Sequence, residues 1–370
     1  MSISLDRMIE VRCTNCNRSY PSKGTPYRCP KCTAHFDIPQ LPAFDLSQVD
    51  ERLPGVWRYR HSFVLPEAAP LVSLGEGHTP LIWYQVFGHQ VGCKLEFLNP
   101  TGSYKDRGSA VLLSFLRSRR VTQAVEDSSG NAGASFAAYA AACGMRGRVY
   151  VPDYASGPKL AQIAAYGADV YQVKGTRSQT TEAALKAVKH EVAYASHAYM
   201  PFGLAGYATL AYELFQQIGG PPGTIVTPVG QGGLLLGIGR GFAALQQAGL
   251  VENLPKIIGV QALACAPLWA LFTYGPDGLS WVSEGMTLAE GVRVRHPLRG
   301  DAVLQMVRQS GGLMLAVDEP DIPPAHQALA RLGLFVEPTS AIVWKALELA
   351  REQLVDPVVV VLTGSGLKAV

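Results

Sequence analysis

The chain has no apolar run long enough to span a bilayer; its most apolar stretches, such as Val358 to Leu362, are strand-sized. The N-terminus lacks the apolar core of a secretory signal, so the sequence reads as cytoplasmic by default. Charge is scarce. Charged residues make up 16% of the 370, and the net charge of +3 is too small to suggest a nucleic-acid or membrane surface. The cluster at Arg117, Arg119 and Arg120 reads as a solvated helix end. Internal repeats and low-complexity segments are absent. With 48% hydrophobic residues, the chain is excluded from the disordered class and is long enough for two domains.

Glycine is abundant at 38 residues, much of it in short runs, which points to backbone approaching a ligand closely. From about residue 72, short β-branched runs alternate with Ala- and Leu-rich helical stretches. The runs are Arg148 to Val151, Val170 to Val173, Thr224 to Val229, Ile257 to Gln261 and Val358 to Leu362. This alternation predicts an α/β fold with parallel sheets covered on both faces. Ligands in such folds sit where strands end and helices begin.

Ahead of this region, residues 1–38 form a small module and residues 39–71 read as a surface linker dense in proline and charge. The module carries four of the seven cysteines, as Cys13-x2-Cys16 and Cys29-x2-Cys32 with 12 residues between the pairs. Two such knuckles can fold as a zinc ribbon, four thiolates closing the shell of one structural metal. Disulfides are the alternative, and a reducing compartment favours zinc. Cys93, Cys143 and Cys265 are isolated.

Three segments sit where loops lead into helices. In Asn99-Pro-Thr-Gly-Ser-Tyr-Lys-Asp-Arg-Gly108, Ser103 and Asp106 have capping-box spacing, which places Lys105 in a first helical turn. The positive end of the helix dipole lowers an amine's pKa there and suits a neutral nucleophile, although a surface lysine is the ordinary reading. Ser128-Ser-Gly-Asn-Ala-Gly-Ala-Ser135 offers hydroxyls and backbone N–H groups to an anion, or simply caps a buried helix. Pro228-Val-Gly-Gln-Gly-Gly-Leu234 follows a strand. It lacks the Gly-Lys-Ser/Thr ending of a Walker loop and an assignable acidic ribose partner, so it can cup one phosphate or be a plain tight turn. The C-terminus adds a buried strand ending in Thr363-Gly-Ser-Gly-Leu-Lys368.

The Lys105 segment resembles the cofactor-lysine motif of threonine synthases, within the wider tryptophan-synthase-β-like, fold type II family of pyridoxal-phosphate (PLP) enzymes. Gly75-Glu-Gly-His-Thr-Pro-Leu81, Lys94-Leu-Glu96, Ala289-Glu-Gly-Val292, Val336-Glu-Pro-Thr-Ser-Ala341 and Thr363 to Lys368 also resemble family segments, in the family order. The resemblance implies two parallel-sheet domains with PLP in the cleft: a large one of 72–109 and 209–370, and a small mobile one of 110–208. It implies Lys105 as the cofactor lysine and proton carrier, and Asn131 on the ring's phenolic oxygen. Ser128, Ser129, Gly130 and Ala132 would line the substrate carboxylate, Gly230, Gln231, Gly232 and Gly233 the PLP phosphate, and Thr363 the pyridine nitrogen. A zinc ribbon, a homodimer and a small amino-acid substrate go with it.

One departure bears on the substrate. The positions where the family binds the phosphate of O-phospho-L-homoserine fall on His197, Ala198 and Gly203. The implied reaction, O-phospho-L-homoserine and water giving L-threonine and phosphate, therefore stands beside serine/threonine dehydration or β-replacement. A non-catalytic PLP-binding protein is disfavoured by intact Lys105, Asn131 and Thr363.

Overall fold

The alternating β-branched and Ala-rich stretches form two parallel sheets in a computed structural model, which describes residues 10–189 and 191–369. The strands are β1 (Arg12–Cys13), β2 (Phe36–Asp37), β3 (Leu81–Val86), β4 (His89–Lys94), β5 (Gln123–Glu126), β6 (Arg146–Pro152), β7 (Asp169–Val173), β8 (Val192–Tyr194), β9 (Thr224–Pro228), β10 (Lys256–Ala262), β11 (Leu313–Val317) and β12 (Val358–Val361). The larger sheet has the order β11-β10-β9-β12-β4-β3, parallel except for the β3–β4 hairpin at its edge. The smaller sheet, β7-β6-β5-β8, is wholly parallel. β12 is buried on both faces, and its four valines match a strand at the centre of a covered sheet.

The helices are α1 (Lys105–Ser118), α2 (Asn131–Ala142), α3 (Pro158–Ala165), α4 (Arg177–Ala187), α5 (Gly203–Ile218), α6 (Gly233–Gln247), α7 (Pro267–Tyr274), α8 (Gly300–Gln309), α9 (Ile322–Arg331) and α10 (Pro338–Leu349). Among the described residues no helix is long and apolar enough to cross a membrane. The pairs α1–α5 and α5–α6 meet through glycines. A Cβ on Gly206 would lie 2.0 Å from the Arg107 carbonyl oxygen, and one on Gly241 would lie 2.6 Å from that of Ala208.

Two expectations need correction. Ser103 does not cap α1: Tyr104 stands at the N-cap without a capping side chain, and the Ser103 hydroxyl is buried without a partner. Asp106 turns back instead and accepts from the Thr101 backbone N–H (2.7 Å) and hydroxyl (2.6 Å), so it braces the preceding turn. Nor do residues 39–71 run over the surface. Leu41, Phe44, Val56, Trp57, Tyr59 and Phe63 are buried, and Phe44 stacks on Tyr212 of α5 at 4.2 Å. Their apolar side chains outweigh the proline content that suggested a linker.

The N-terminal module packs on the body through aromatics and one ion cluster. Tyr20 meets Phe115 and Phe202, and Tyr27 meets Tyr194 and Tyr199. Asp37 accepts a two-point contact from Arg240 (2.9 and 2.7 Å) and a further bond from Arg299. Burial pushes the Asp37 carboxyl up, but the two guanidinium groups override it and hold its pKa at about 2.

A second ion cluster lies beneath the lysine turn. Fully buried Arg107 donates to Glu96 (2.7 and 2.7 Å) and to Glu213 (2.6 and 2.7 Å). Lys94, also fully buried, donates to Glu213 (2.8 Å) and to the Thr79 carbonyl (2.7 Å). Two cations and two anions balance, which is the condition under which buried charges persist. Arg107→Ala leaves Glu96 without a cation and Glu213 with Lys94 alone, and is expected to cost about 3–5 kcal/mol, read as a lower urea midpoint with an unchanged m value.

Candidate active site

Lys105 opens α1 because the turn before it is stitched to the C-terminal loop. The Tyr104 N–H donates to the Thr363 carbonyl (3.0 Å), the Ser365 N–H donates to the Gly102 carbonyl (3.0 Å), and Ser103 bridges Gly364. Lys368, whose ammonium burial pushes its pKa down to about 8, donates to the Thr101 carbonyl at 2.7 Å. Residues far apart in sequence are thus fixed beside one another: Lys105 at the start of α1 and Thr363 just beyond the carboxyl end of β12.

Thr363 is buried, and its hydroxyl lies 2.8 Å from that of Ser340 in α10. Ser340 also accepts from the Gly364 N–H at 2.9 Å. Ser340 thereby orients the Thr363 hydroxyl. No local pattern could have revealed that partnership across 23 residues.

Asn131 begins α2, with Gly130 at the cap. Its amide donates to both Glu337 carboxylate oxygens (2.9 and 3.0 Å), while its own Oδ1 is buried without a partner. Glu337 also pairs with Lys159 at 3.2 Å, so one carboxylate ties the Asn131 loop and α3 to the large sheet's side of the cleft. Ser128, Ser129 and Gly130 are half-buried ahead of α2, and Ala132 is buried. The Ser128 hydroxyl accepts from the Gly130 N–H, and only glycine fits at Gly133, where a Cβ would lie 1.8 Å from the Ser128 carbonyl oxygen.

The glycine loop follows β9 and leads into α6. Gly232 holds the cap in the left-handed region at φ +82°, and Gly233 starts the helix. A Cβ on Gly230 would lie 2.7 Å from the Gly291 carbonyl oxygen, so residues 290–292 press against the loop. Gln231 turns its side chain away to accept from the Leu298 N–H, leaving its backbone to the cup. The positive end of α6 and the free N–H groups of its first turn suit one phosphate.

Lys105 lines a narrow cavity with Ser109, Glu126, Phe136, His197 and Tyr207. Glu126, whose role the sequence did not disclose, closes β5 and is fully buried. Burial, with Asp127 beside it, holds its carboxyl well above the usual range. Its Oε1 lies 3.2 Å from His197 Nδ1, and burial holds that imidazole well below its ordinary pKa. Ala198 and Gly203 do not join this cavity as polar groups. The Ala198 carbonyl accepts from Arg299, and a Cβ on Gly203 would already lie 3.2 Å from the Gly108 carbonyl oxygen.

The parts define a class: a two-sheet α/β enzyme whose cleft gathers a helix-start lysine, a glycine turn at a helix N-terminus, an asparagine loop and a paired hydroxyl. The unpartnered Asn131 Oδ1 and Ser103 hydroxyl are the kind of open polar atoms that a bound ring with polar edges would meet. The chain belongs to the family of pyridoxal-phosphate dependent enzymes, whose model matches residues 72–364. It is 32% identical to the threonine synthase of Methanocaldococcus jannaschii, over 96% of this chain and 92% of that one. It is 34% identical to that of Mycobacterium tuberculosis strain H37Rv, over 85% of this chain and 89% of that one. The solved threonine deaminase from T.th. superposes with a TM-score of 0.66 at 27% identity, covering 78% of this chain and 92% of that one.

Gly230→Ala sets a methyl group against the Gly291 backbone, which has no side-chain freedom with which to yield. PLP affinity is expected to fall about tenfold, a loss of roughly one hydrogen bond's strength, measured by titrating the apoprotein and following cofactor absorbance.

Proposed function

We propose that this chain is a PLP-dependent carbon–oxygen lyase of the threonine synthase type, converting O-phospho-L-homoserine and water to L-threonine and phosphate. The observation that carries the reading is that the Lys105 turn and Asn131 both meet the Thr363–Gly364 loop, while Tyr207, which lines the cavity with Lys105, packs against Gly233 of the glycine loop. The name borne by relatives that match nearly the whole chain supports it.

PLP supplies an electron sink for the bond broken at the substrate's α-carbon. Gly230, Gln231, Gly232 and Gly233 would hold its phosphate at the α6 N-terminus, Asn131 its phenolic oxygen, and Thr363 its pyridine nitrogen. A neutral hydroxyl there leaves that nitrogen largely unprotonated, which favours elimination and replacement over transamination. Lys105, once released by the substrate amine, takes the Cα proton and returns it later. Ser128, Ser129, Gly130 and Ala132 would receive the substrate carboxylate through hydroxyls and N–H groups. The small-sheet unit, residues 110–208, would close over the cleft and exclude water.

Dehydration of L-serine or L-threonine is the second reading. The cavity beside Lys105 favours it, because among the described residues no arginine and no other lysine lines it to hold a phosphate dianion. The test is a stopped assay of PLP-loaded protein with O-phospho-L-homoserine beside a Lys105→Ala control. Threonine and phosphate should form in equal amounts and be absent in the control. Absence of turnover, with cofactor absorbance intact, would transfer the assignment to the dehydratase.

The cysteine module is proposed to hold one structural zinc. The Sγ atoms of Cys13, Cys16, Cys29 and Cys32 all lie within 4.8 Å of one another, with Cys13–Cys32 at 3.4 Å and Cys16–Cys29 at 3.6 Å. A tetrahedron of Zn–S bonds sets sulfur pairs about 3.8 Å apart. Elemental analysis should find one zinc per chain, and stripping it with a chelator should lower Tm; a metal-free protein of unchanged Tm would refute this.

A further inference from the structure

The inner wall of the cleft carries a side-chain pair with no role in holding PLP or the substrate carboxylate. β5 and β8 are adjacent and parallel, with Val125 opposite Tyr194. Glu126 at the end of β5 and His197 just after β8 therefore meet at the carboxyl ends of their strands, where ligands bind in such sheets. Glu126 Oε1 lies 3.2 Å from His197 Nδ1, and the fully buried Oε2 has no hydrogen-bond partner. The His197 side chain keeps 26% of its accessible surface. Both residues line the cavity with Lys105, among Leu112, Phe136 and Met200.

Neighbouring Asp127 is not a spare member of this pair. It accepts from Thr181 (2.6 Å) and Tyr194 (2.9 Å) and meets Arg177 at 3.3 Å. Glu126 alone presents an open oxygen. Burial pushes the carboxyl pKa up and the imidazole pKa down, which favours the neutral form of each, and the imidazole tautomer bearing its proton on Nδ1 donates to Oε1 and leaves Nε2 as an acceptor. The protonated carboxyl offers Oε2–H beside it. One donor and one acceptor in an apolar cavity match a water molecule or an alcohol, and they do not match a dianion.

We propose that Glu126 and His197 bind the oxygen exchanged at the substrate's β-carbon, as the acid–base pair for a water that adds there or a hydroxyl that leaves. This rests on the reading of the cleft as a PLP lyase and applies to either substrate reading. In the adding direction, the water oxygen forms a bond to Cβ of a Cα=Cβ double bond while Oε2–H steadies it. The water's O–H bond breaks, and its proton goes to His197 Nε2. The displaced electron pair moves to Cα, where the Lys105 ammonium delivers a proton. The proton on His197 then returns to Lys105 and resets the site. Loss of a hydroxyl runs the same transfers backward, with the carbon–oxygen electron pair leaving as water.

The test compares PLP-loaded wild type with Glu126→Gln and His197→Asn, using O-phospho-L-homoserine and, separately, L-threonine. Exchange of the Cα hydrogen of L-threonine in D2O, followed by NMR, reports Lys105 chemistry without any carbon–oxygen step. 2-Oxobutanoate formed from L-threonine, and threonine formed from O-phospho-L-homoserine, report the carbon–oxygen step. In both variants the ratio of Cα exchange to carbon–oxygen turnover should rise by about 100-fold or more, the usual weight of a positioned acid or base. With O-phospho-L-homoserine the variants should still release phosphate but divert product to 2-oxobutanoate. If wild type turns over only L-threonine, the phosphohomoserine reading fails and the pair is judged on dehydration by the same ratio. A ratio unchanged in both variants overturns the proposal, and wild type inert toward both substrates overturns it together with the reading on which it rests.

Discussion

The placement of Lys105 depends on four buried charges. Arg107 and Lys94 face Glu96 and Glu213, and between them they join the end of β4, the start of α1 and the middle of α5. Burial alone would drive the Glu213 carboxyl up, but the two cations hold it far below the usual range. The same cluster reaches the upstream segment: Glu213 accepts from the His78 N–H at 2.7 Å, and Glu96 accepts from Thr79 at 2.6 Å. Such a network adds little net stability over apolar packing, yet it is costly to break. What it supplies here is a fixed address for the backbone two residues from the reactive amine.

The cleft is assembled from loops at the carboxyl ends of strands in two different sheets. β9 and β12 deliver the glycine cup and Thr363, while β5 and β8 deliver the asparagine loop, Glu126 and His197. Glu337 crosses between the two sides, bonding Asn131 and Lys159. On the far side, Arg299 donates to the Phe36 carbonyl at 2.8 Å and to the Tyr199 carbonyl at 3.2 Å. The cysteine module is thereby fastened to the segment that carries His197.

Much of this was legible in the sequence because it is encoded locally. The β-branched runs near residues 148, 170, 224, 257 and 358 became strands, since a strand buried on both faces needs only a short apolar run. The glycine loop and the lysine turn sit at loop-to-helix junctions, as read. Short strands such as β8 and the β3–β4 hairpin were not discerned, being brief or half-exposed. The segment 39–71 was misjudged because proline marks turns without saying whether the apolar residues between them find a core.

The sequence by itself pointed to the type of chemistry through the joint resemblance of its motifs, in the family order, to those of PLP enzymes, because each motif is a short local segment whose residues are read directly, although each alone left an ordinary structural reading open. Only the tertiary structure decided which polar groups share the cavity. Glu126 and His197 are 71 residues apart, and Ser340 and Thr363 are 23 apart. Hydrogen bonds reach about 3 Å, so such pairs exist only once strands and helices have been packed. The lone residues that look ordinary in the sequence acquire their charge state from that packing, through burial and through the neighbours it brings.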